Sequence, residues 1–203
     1  MRLFTNPRMW SKVKTSTGFG AAPLARAISR EDEPPPLRIV DGTAGLGGTA
    51  IRISETFGPS CEVTAVEASA PLAVLLEYGL QRLASQPTAW AAAAGRVRAV
   101  HADAAEYLER LAGDQAARRP CVVYLNPCMD LARPSEEDRF LHKVARLSPI
   151  SELCLATARR VATRRVVMRA PNGADPMAVG YGETPDRVVK GKQSSYFVYE
   201  QRR

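Results

Sequence analysis

Apolar positions along the chain follow two periods, one typical of buried strands and one typical of helices. Short, nearly continuous apolar runs predict strands over residues 37–41, 62–67, 97–101, 121–125 and 165–169. The segments between them predict helices over residues 49–57, 71–85, 104–111 and 149–163. Residues 187–190 and 196–199, joined by a polar turn, add a closing hairpin. This order predicts an α/β fold, with a mostly parallel seven-stranded sheet and helices on both faces.

The first 35 residues differ from the rest of the chain in charge and in proline content. Residues 1–30 contain six Lys and Arg residues and no acidic residue. A short helix is predicted over residues 23–29, and three consecutive prolines at 34–36 then exclude a helix. We therefore expect residues 1–35 to form a basic arm with a short helix and a proline-rich linker, and residues 36–203 to form one domain. The arm is typical of a segment that lies on RNA, or of the remnant of an organellar targeting sequence.

The net charge of +7 is unevenly distributed along the chain. Residues 31–130 hold eight basic and thirteen acidic side chains, whereas residues 131–203 hold fourteen basic and eight acidic ones. Basic ends around an acidic centre favour a polyanionic partner, RNA or DNA, over scattered surface charge. The four cysteines form no C-x-x-C pair, which argues against structural zinc and for reduced thiols inside a cell. No apolar run is long enough for a membrane helix.

A glycine-rich loop follows the first predicted strand. Asp41 ends that strand, and the loop carries Gly45, Gly47 and Gly48 before a helix that opens at Thr49. An acid, a glycine turn and a helix amino terminus are how doubly wound α/β proteins bind an adenosine-containing cofactor. The spacing lacks the G-x-G-x-x-G pattern of nicotinamide-binding loops. A plain tight turn is the alternative for the glycines alone.

Two further acids follow the next predicted strands. Glu67 ends the second strand, twenty residues after Gly47 in the sequence. At this separation from a glycine loop, an acidic side chain can hold ribose hydroxyls. Asp103 follows the third strand and could accept a hydrogen bond from an adenine amino group. An ordinary strand-end carboxylate for Glu67 and a helix cap for Asp103 are the structural alternatives, and the cap is compatible with an adenine contact.

Asn126 and Pro127 end the fourth predicted strand and are the candidate catalytic residues. Methylation of an exocyclic amine requires two N–H groups to be held while the nitrogen is aimed at the methyl group. The Asn126 side-chain carbonyl and a backbone carbonyl on a rigid proline turn are suitable acceptors; a simple Asn-Pro turn is the alternative. Cys128 could instead act as a nucleophile on cytosine, although a small, partly buried thiol fits its surroundings better.

Taken in chain order, these motifs resemble the bacterial small-subunit rRNA guanine-N2 methyltransferases of the RsmJ type. The resemblance extends over residues 15–203 and is carried by residues 18–20, 24–27, 41–47, 75–80, 122–125, 165–167, 190–191 and 197–199. It implies a Rossmann-like class I methyltransferase domain, S-adenosylmethionine as cofactor, and small-subunit rRNA or a ribosomal precursor particle as partner, without metal or membrane. The cofactor contacts that it implies come from Gly48, Thr49, Glu67, Ala68, Asp103, Ala104 and Asn126.

The chain departs from the family pattern on the substrate side. The family's Asp-Pro-Met-Phe is here Asn126-Pro127-Cys128-Met129, so the aromatic that would stack on a flipped guanine, worth ~1–3 kcal/mol, is missing. A lysine-rich loop is replaced by residues 132–138, which include three acids. Two functions therefore remain open: an active rRNA guanine-N2 methyltransferase, or a catalytically impaired assembly or structural factor of the small subunit. The expected location is intracellular, mitochondrial by the acid-free amino terminus or cytoplasmic for a bacterial protein.

Overall fold

The computed structural model describes residues 22–30, 33, 37–114, 116–126, 150–192 and 194–201. The strands in these residues are β1 (Leu37–Asp41), β2 (Cys61–Glu67), β3 (Val97–His101), β4 (Val122–Leu125), β5 (Arg165–Pro171), β6 (Arg187–Lys190) and β7 (Ser194–Glu200). They form one seven-stranded sheet in the order β3-β2-β1-β4-β5-β7-β6. β1 to β5 pair in parallel, and β7 is antiparallel to both β5 and β6. The prediction of a mostly parallel sheet closed by a hairpin is confirmed.

Helices connect the strands, and most begin and end within a few residues of the predicted bounds. They are α1 (Pro23–Ile28), α2 (Gly48–Phe57), α3 (Ala70–Ala84), α4 (Ala91–Ala94), α5 (Ala104–Gly113), α6 (Glu152–Val161) and α7 (Pro176–Val179). The short helices α4 and α7 were not predicted. α6 begins three residues later than predicted, because the Ser151 hydroxyl caps it by accepting the Cys154 N–H at 3.1 Å. Among the described residues, no helix is long and apolar enough to cross a membrane.

The strand order reverses between β1 and β4. From β1 the chain moves outward through β2 to β3, and it then returns to β4 on the other side of β1. Asp41 at the end of β1 pairs with Tyr124, one residue before the end of β4. The carboxyl ends of these two strands therefore meet where an open α/β sheet leaves a crevice for ligands.

Apolar side chains fill both faces of the sheet. One cluster joins Ile39 and Val63 to helices α2 and α3, and the other joins Val40 and Val123 to helices α5 and α6. The alternation along β1 follows from the period of two in a strand. Helices on both faces are thus confirmed. Helix α1 packs on the first of these faces, where Ile28 is fully buried. The proposed division at residues 35 and 36 stays a prediction.

A buried arginine ties α1 to the sheet. Arg165, 2% exposed at the start of β5, donates hydrogen bonds to the Ile28 carbonyl at 2.6 Å and to the Glu33 and Glu200 carboxylates. Partial burial by itself would raise the pKa of Glu33, but the hydrogen bond from Arg165 and further donors outweigh it and lower that pKa to about 2. The network holds the segment before β1 against the closing hairpin.

Candidate active site

Asp41 is fully buried at the carboxyl end of β1. Its Oδ1 accepts the Thr43 N–H at 3.1 Å and the Thr43 hydroxyl at 3.4 Å. Its Oδ2 is buried without a hydrogen-bond partner among the described residues. Burial raises the pKa of Asp41 to about 7, against the opposing effect of the Thr43 hydrogen bonds. A buried carboxylate oxygen of this kind is costly until a proton or a donor group of a ligand satisfies it.

The loop after Asp41 turns sharply into helix α2. Gly45 and Gly47 have φ values of 55° and 82°, in the left-handed region that glycine adopts without strain. A Cβ atom on Gly47 would lie 2.5 Å from Leu76 Cδ1. At Gly48, the first residue of α2, a Cβ atom would meet no described atom within 4 Å. Open space thus lies against the first turn of α2, whose backbone N–H groups have no partner within the helix.

Glu67 supports this loop from the end of β2. Its Oε2 accepts the Gly45 N–H and its Oε1 accepts the Ser69 N–H, both at 2.8 Å. The Ala44 N–H also donates to the Val66 carbonyl at 3.0 Å, so the loop is fixed to β2 at two points. Each carboxylate oxygen retains a second lone pair, which leaves Glu67 able to accept ribose hydroxyls. The ribose contact, and that of the adjacent Ala68, stay predictions.

Asp103 caps helix α5. Its Oδ1 accepts the Ala105 N–H at 2.8 Å and the Glu106 N–H at 3.2 Å. The Ala102 N–H donates to the Glu67 carbonyl at 3.1 Å, which holds the start of α5, Ala104, beside the end of β2. The cap is therefore present, and Asp103 lies in the loop next to Glu67. Its contact with an adenine, and that of Ala104, stay predictions.

Asn126 is joined to the glycine loop through Thr43. The Asn126 N–H donates to the Thr43 hydroxyl oxygen at 2.7 Å, and the same hydroxyl donates to Asp41 Oδ1. The Gly42 N–H also donates to the Tyr124 carbonyl at 2.9 Å. The structure thus brings the candidate cofactor loop and the candidate catalytic residue together. Thr43 was missed from the sequence, where nothing distinguishes it from other loop threonines.

Thr49 lies in the first turn of α2, and the remaining predicted site residues lie outside the described part. Thr49 forms a hydrogen bond with the phenol of Tyr124, whose pKa burial raises well above its usual value, with the Asp41 charge adding to the effect. Thr49 is thereby tied to β4, and its contact with the cofactor stays a prediction. Pro127 and Cys128 lie outside the described residues, as does most of the predicted arm.

The remaining cysteines are buried thiols, and no metal site is built in the described part of the chain. Cys61, Cys121 and Cys154 are free and buried. Burial raises the pKa of Cys61 to about 12 and that of Cys154 to about 11, so both stay protonated at neutral pH. Within the described ranges, no group of three or more His, Cys, Asp or Glu residues could hold a metal ion.

The fold and the loop define a class I methyltransferase of the Rossmann-like type, and comparison with known proteins agrees. Residues 4–201 match the family model described as "Putative SAM-dependent methyltransferase", and the chain belongs to this family. S-adenosylmethionine is therefore its cofactor. The residues fit such a group, because the open helix start offers N–H donors to its anionic or acceptor atoms and the unpaired Asp41 Oδ2 can accept a hydrogen bond from its ammonium group.

Curated relatives carry a more specific name. The chain is 35% identical over 204 residues to ribosomal RNA small subunit methyltransferase J of Halorhodospira halophila, covering 97% of this chain and 71% of that protein. It is 30% identical over 165 residues to the protein of the same name from Alteromonas mediterranea, covering 79% of this chain. The chain spans 59% of the length of that second relative.

Solved structures support the same fold. The SAM-dependent methyltransferase from Neisseria gonorrhoeae superposes with a TM-score of 0.69 at 26% identity, covering 97% of this chain and 72% of that one. The rRNA methyltransferase aviRa from Streptomyces viridochromogenes superposes with a TM-score of 0.58 at 15% identity, covering 88% of this chain and 82% of that one, and shows the fold alone. The predicted family, fold class and cofactor are thereby confirmed.

Proposed function

We propose that the protein transfers a methyl group from S-adenosylmethionine to the exocyclic N2 of a guanine in small-subunit rRNA. One observation carries the proposal: the Thr43 hydroxyl joins the buried Asp41 carboxylate of the cofactor loop to the backbone of Asn126. A cofactor group at Asp41 and an amine at Asn126 would then be positioned by the same short chain of hydrogen bonds. The names of the bacterial relatives supply the substrate class.

The chemistry requires positioning more than a strong base. Bound S-adenosylmethionine supplies an electrophilic methyl group on a sulfonium. The Asn126 side-chain carbonyl and a nearby backbone carbonyl would accept hydrogen bonds from the two N–H groups of the amine and so aim its lone pair. The amine proton becomes acidic only as the new bond to carbon forms, so solvent can remove it. Asp41 holds a charged donor of the cofactor, and Glu67 and Asp103 hold the ribose and the adenine.

A non-catalytic role on the ribosomal small subunit is the second candidate. It is favoured by the sequence after Asn126, in which Cys128 and Met129 offer no aromatic ring for a flipped guanine. In that case the protein binds S-adenosylmethionine and a precursor particle without methyl transfer. The mitochondrial location expected from the amino-terminal segment has no support from these bacterial relatives and stays a prediction.

Incubation of the purified protein with labelled S-adenosylmethionine and undermethylated small-subunit particles tests the proposal. Nucleoside mass spectrometry then identifies any methylated base. The expected product is N2-methylguanine at a single rRNA position. A product of 5-methylcytosine would replace the proposal with nucleophilic catalysis by Cys128. Binding of cofactor and particle without methyl incorporation would favour the assembly factor.

A further inference from the structure

Three basic residues lie along the edge of the sheet at which the candidate site is built. Arg169 is near the carboxyl end of β5, Lys190 ends β6, and Lys192 is in the turn between β6 and β7. The pairing register brings them to one edge, because Ser195 of β7 pairs with Ala170 on one side and with Lys190 on the other. We call Arg169, Lys190 and Lys192 the cationic edge.

The cationic edge begins beside the candidate catalytic residue. Leu125 of β4 pairs with Met168 of β5, and the next residues along the two parallel strands are Asn126 and Arg169. Their backbones are therefore separated by about one strand spacing, ~4.8 Å. The positive charge of Arg169 also lowers the pKa of the Tyr124 phenol, against the larger opposing effect of burial. Arg169 thus belongs to the substrate side of the site. The two lysines lie about 10 Å away along the same edge, across β7, and Lys190 is level with Ala170, so it leaves the sheet on the face opposite to that of Arg169.

The cationic edge is not neutralised by ion pairs within the described residues, whereas several arginines at the opposite end of the sheet are. Ion pairs at that amino end join Arg165 to Glu33 and Glu200, Arg187 and Arg30 to Glu200, and Arg160 to Glu109. In the described part of the chain, no ion pair involves Arg169, Lys190 or Lys192. Three cations without an ion pair among the described residues, beginning beside the candidate catalytic residue, favour a polyanion bound at that edge.

Hydrogen bonds hold the cationic edge in place. The Ser195 hydroxyl donates to Asn172 Oδ1 at 2.9 Å, and Asn172 Nδ2 donates to the Lys192 carbonyl at 3.3 Å, which ties the turn to the end of β5. Arg169 Nε donates to the Ser194 hydroxyl at 3.1 Å. This is its one hydrogen bond to a described residue, so both Nη atoms remain for a phosphate, which a guanidinium can bind through two parallel hydrogen bonds.

We propose that the cationic edge binds consecutive phosphate groups of the RNA strand that carries the target nucleotide. Arg169 holds the phosphate next to the target, and Lys190 and Lys192 hold phosphates farther along the strand. These contacts fix the register of the strand and carry no sequence information. The inference rests on the proposed function, since it takes RNA as the substrate.

Fluorescence anisotropy with a labelled fragment of small-subunit rRNA tests the cationic edge in the full-length chain. The variants are R169Q, K190Q and K192Q, singly and combined. The matched control is R118Q, because Arg118 is exposed before β4, at the opposite edge, and has no ion pair among the described residues. Each single substitution removes one phosphate-binding group, so it should weaken binding about fivefold at 0.1 M salt and flatten the plot of log K against log salt by about 0.7. The triple variant should therefore bind RNA about 100-fold more weakly, and its slope should flatten by about 2.

Calorimetric titration with S-adenosylmethionine separates this role from cofactor binding. The expected result is unchanged cofactor affinity in the lysine variants and in R169Q. An unchanged RNA affinity and salt slope in the triple variant, or an equally weakened affinity in R118Q, would overturn the proposal. Reduced cofactor affinity in R169Q would also overturn it, by assigning Arg169 to the cofactor. If the wild-type protein transfers no methyl group but its RNA affinity falls with these substitutions, the proposed function fails and the RNA surface stands.

Discussion

The free energy of unfolding of the wild-type protein should depend on pH between pH 5 and pH 8, and replacing Asp41 with Asn should remove most of that dependence. The Asp41 carboxyl has a pKa of about 7 in the folded protein, raised by burial from the ordinary value of 3.8. Between those two values the unfolded chain releases this proton while the folded chain retains it, so the folded state loses stability as pH rises. The loss is complete above pH 7, and a pKa difference of about three corresponds to about 4 kcal/mol.

Urea unfolding of the cofactor-free protein at pH 5 and pH 8 measures the effect. About two thirds of the pKa difference falls within this range, so the wild-type free energy of unfolding should fall by about 3 kcal/mol relative to that of D41N. The acidic groups whose pKa values are lowered, such as Glu33 at about 2, lose their contribution only at lower pH. D114N, at an exposed aspartate, is the matched control and should follow the wild type. If wild type and D41N change in parallel with pH, the buried ionisable state assigned to Asp41 is wrong.

Three further predictions concern the glycine loop, the buried Arg165 and the cap of α5, and each is checked by the free energy of unfolding in urea. Gly47→Ala should lower the free energy of unfolding by about 2 kcal/mol, because a φ of 82° is strained for alanine. Gly48→Ala is the control and should leave the stability close to that of the wild type. Equal stability of the two variants would contradict the loop geometry. Arg165→Leu should lower the free energy of unfolding by about 3–5 kcal/mol, because Glu33 loses its buried partner. Adding Glu33→Gln to this variant should restore part of the lost stability. If no stability is restored, the pairing is refuted. Asp103→Ala should lower the free energy of unfolding by about 1 kcal/mol, because it removes the cap of α5. Asp103→Asn should lower it much less, because asparagine can also cap a helix. A change under about 0.3 kcal/mol in the Ala variant would rule out the cap.

The parts of the fold that depend on local pattern could be predicted from the sequence. β1, β3 and β6 begin and end at the predicted residues, because most of their ends adjoin a proline, a glycine or a charged residue that interrupts the apolar pattern. The short helices α4 and α7 carry too few residues for a helical period to be recognised. Element ends also depend on caps such as that of Ser151, which a pattern of apolar positions does not reveal.

Contacts between distant residues could not be predicted. Glu67 was expected at a ribose, and the sequence could not indicate that both of its oxygens also hold the loop and the start of α3. Thr43 links two loops separated by more than eighty positions, and Arg165 reaches Glu33 across more than a hundred. Such contacts arise from the order of strands in the sheet, and the sequence predicted which residues end strands without predicting which strands are neighbours.

Methyl transfer by N126A, compared with the wild type under single-turnover conditions, tests the central claim most directly. Asn126 is held beside the cofactor loop by Thr43, and its side chain is proposed to hold the amine. The account predicts a fall in the rate of methyl transfer of about 100-fold or more at saturating cofactor, with an RNA affinity close to that of the wild type. A rate within a few-fold of the wild type would contradict the account, because the amine would then be positioned by other groups.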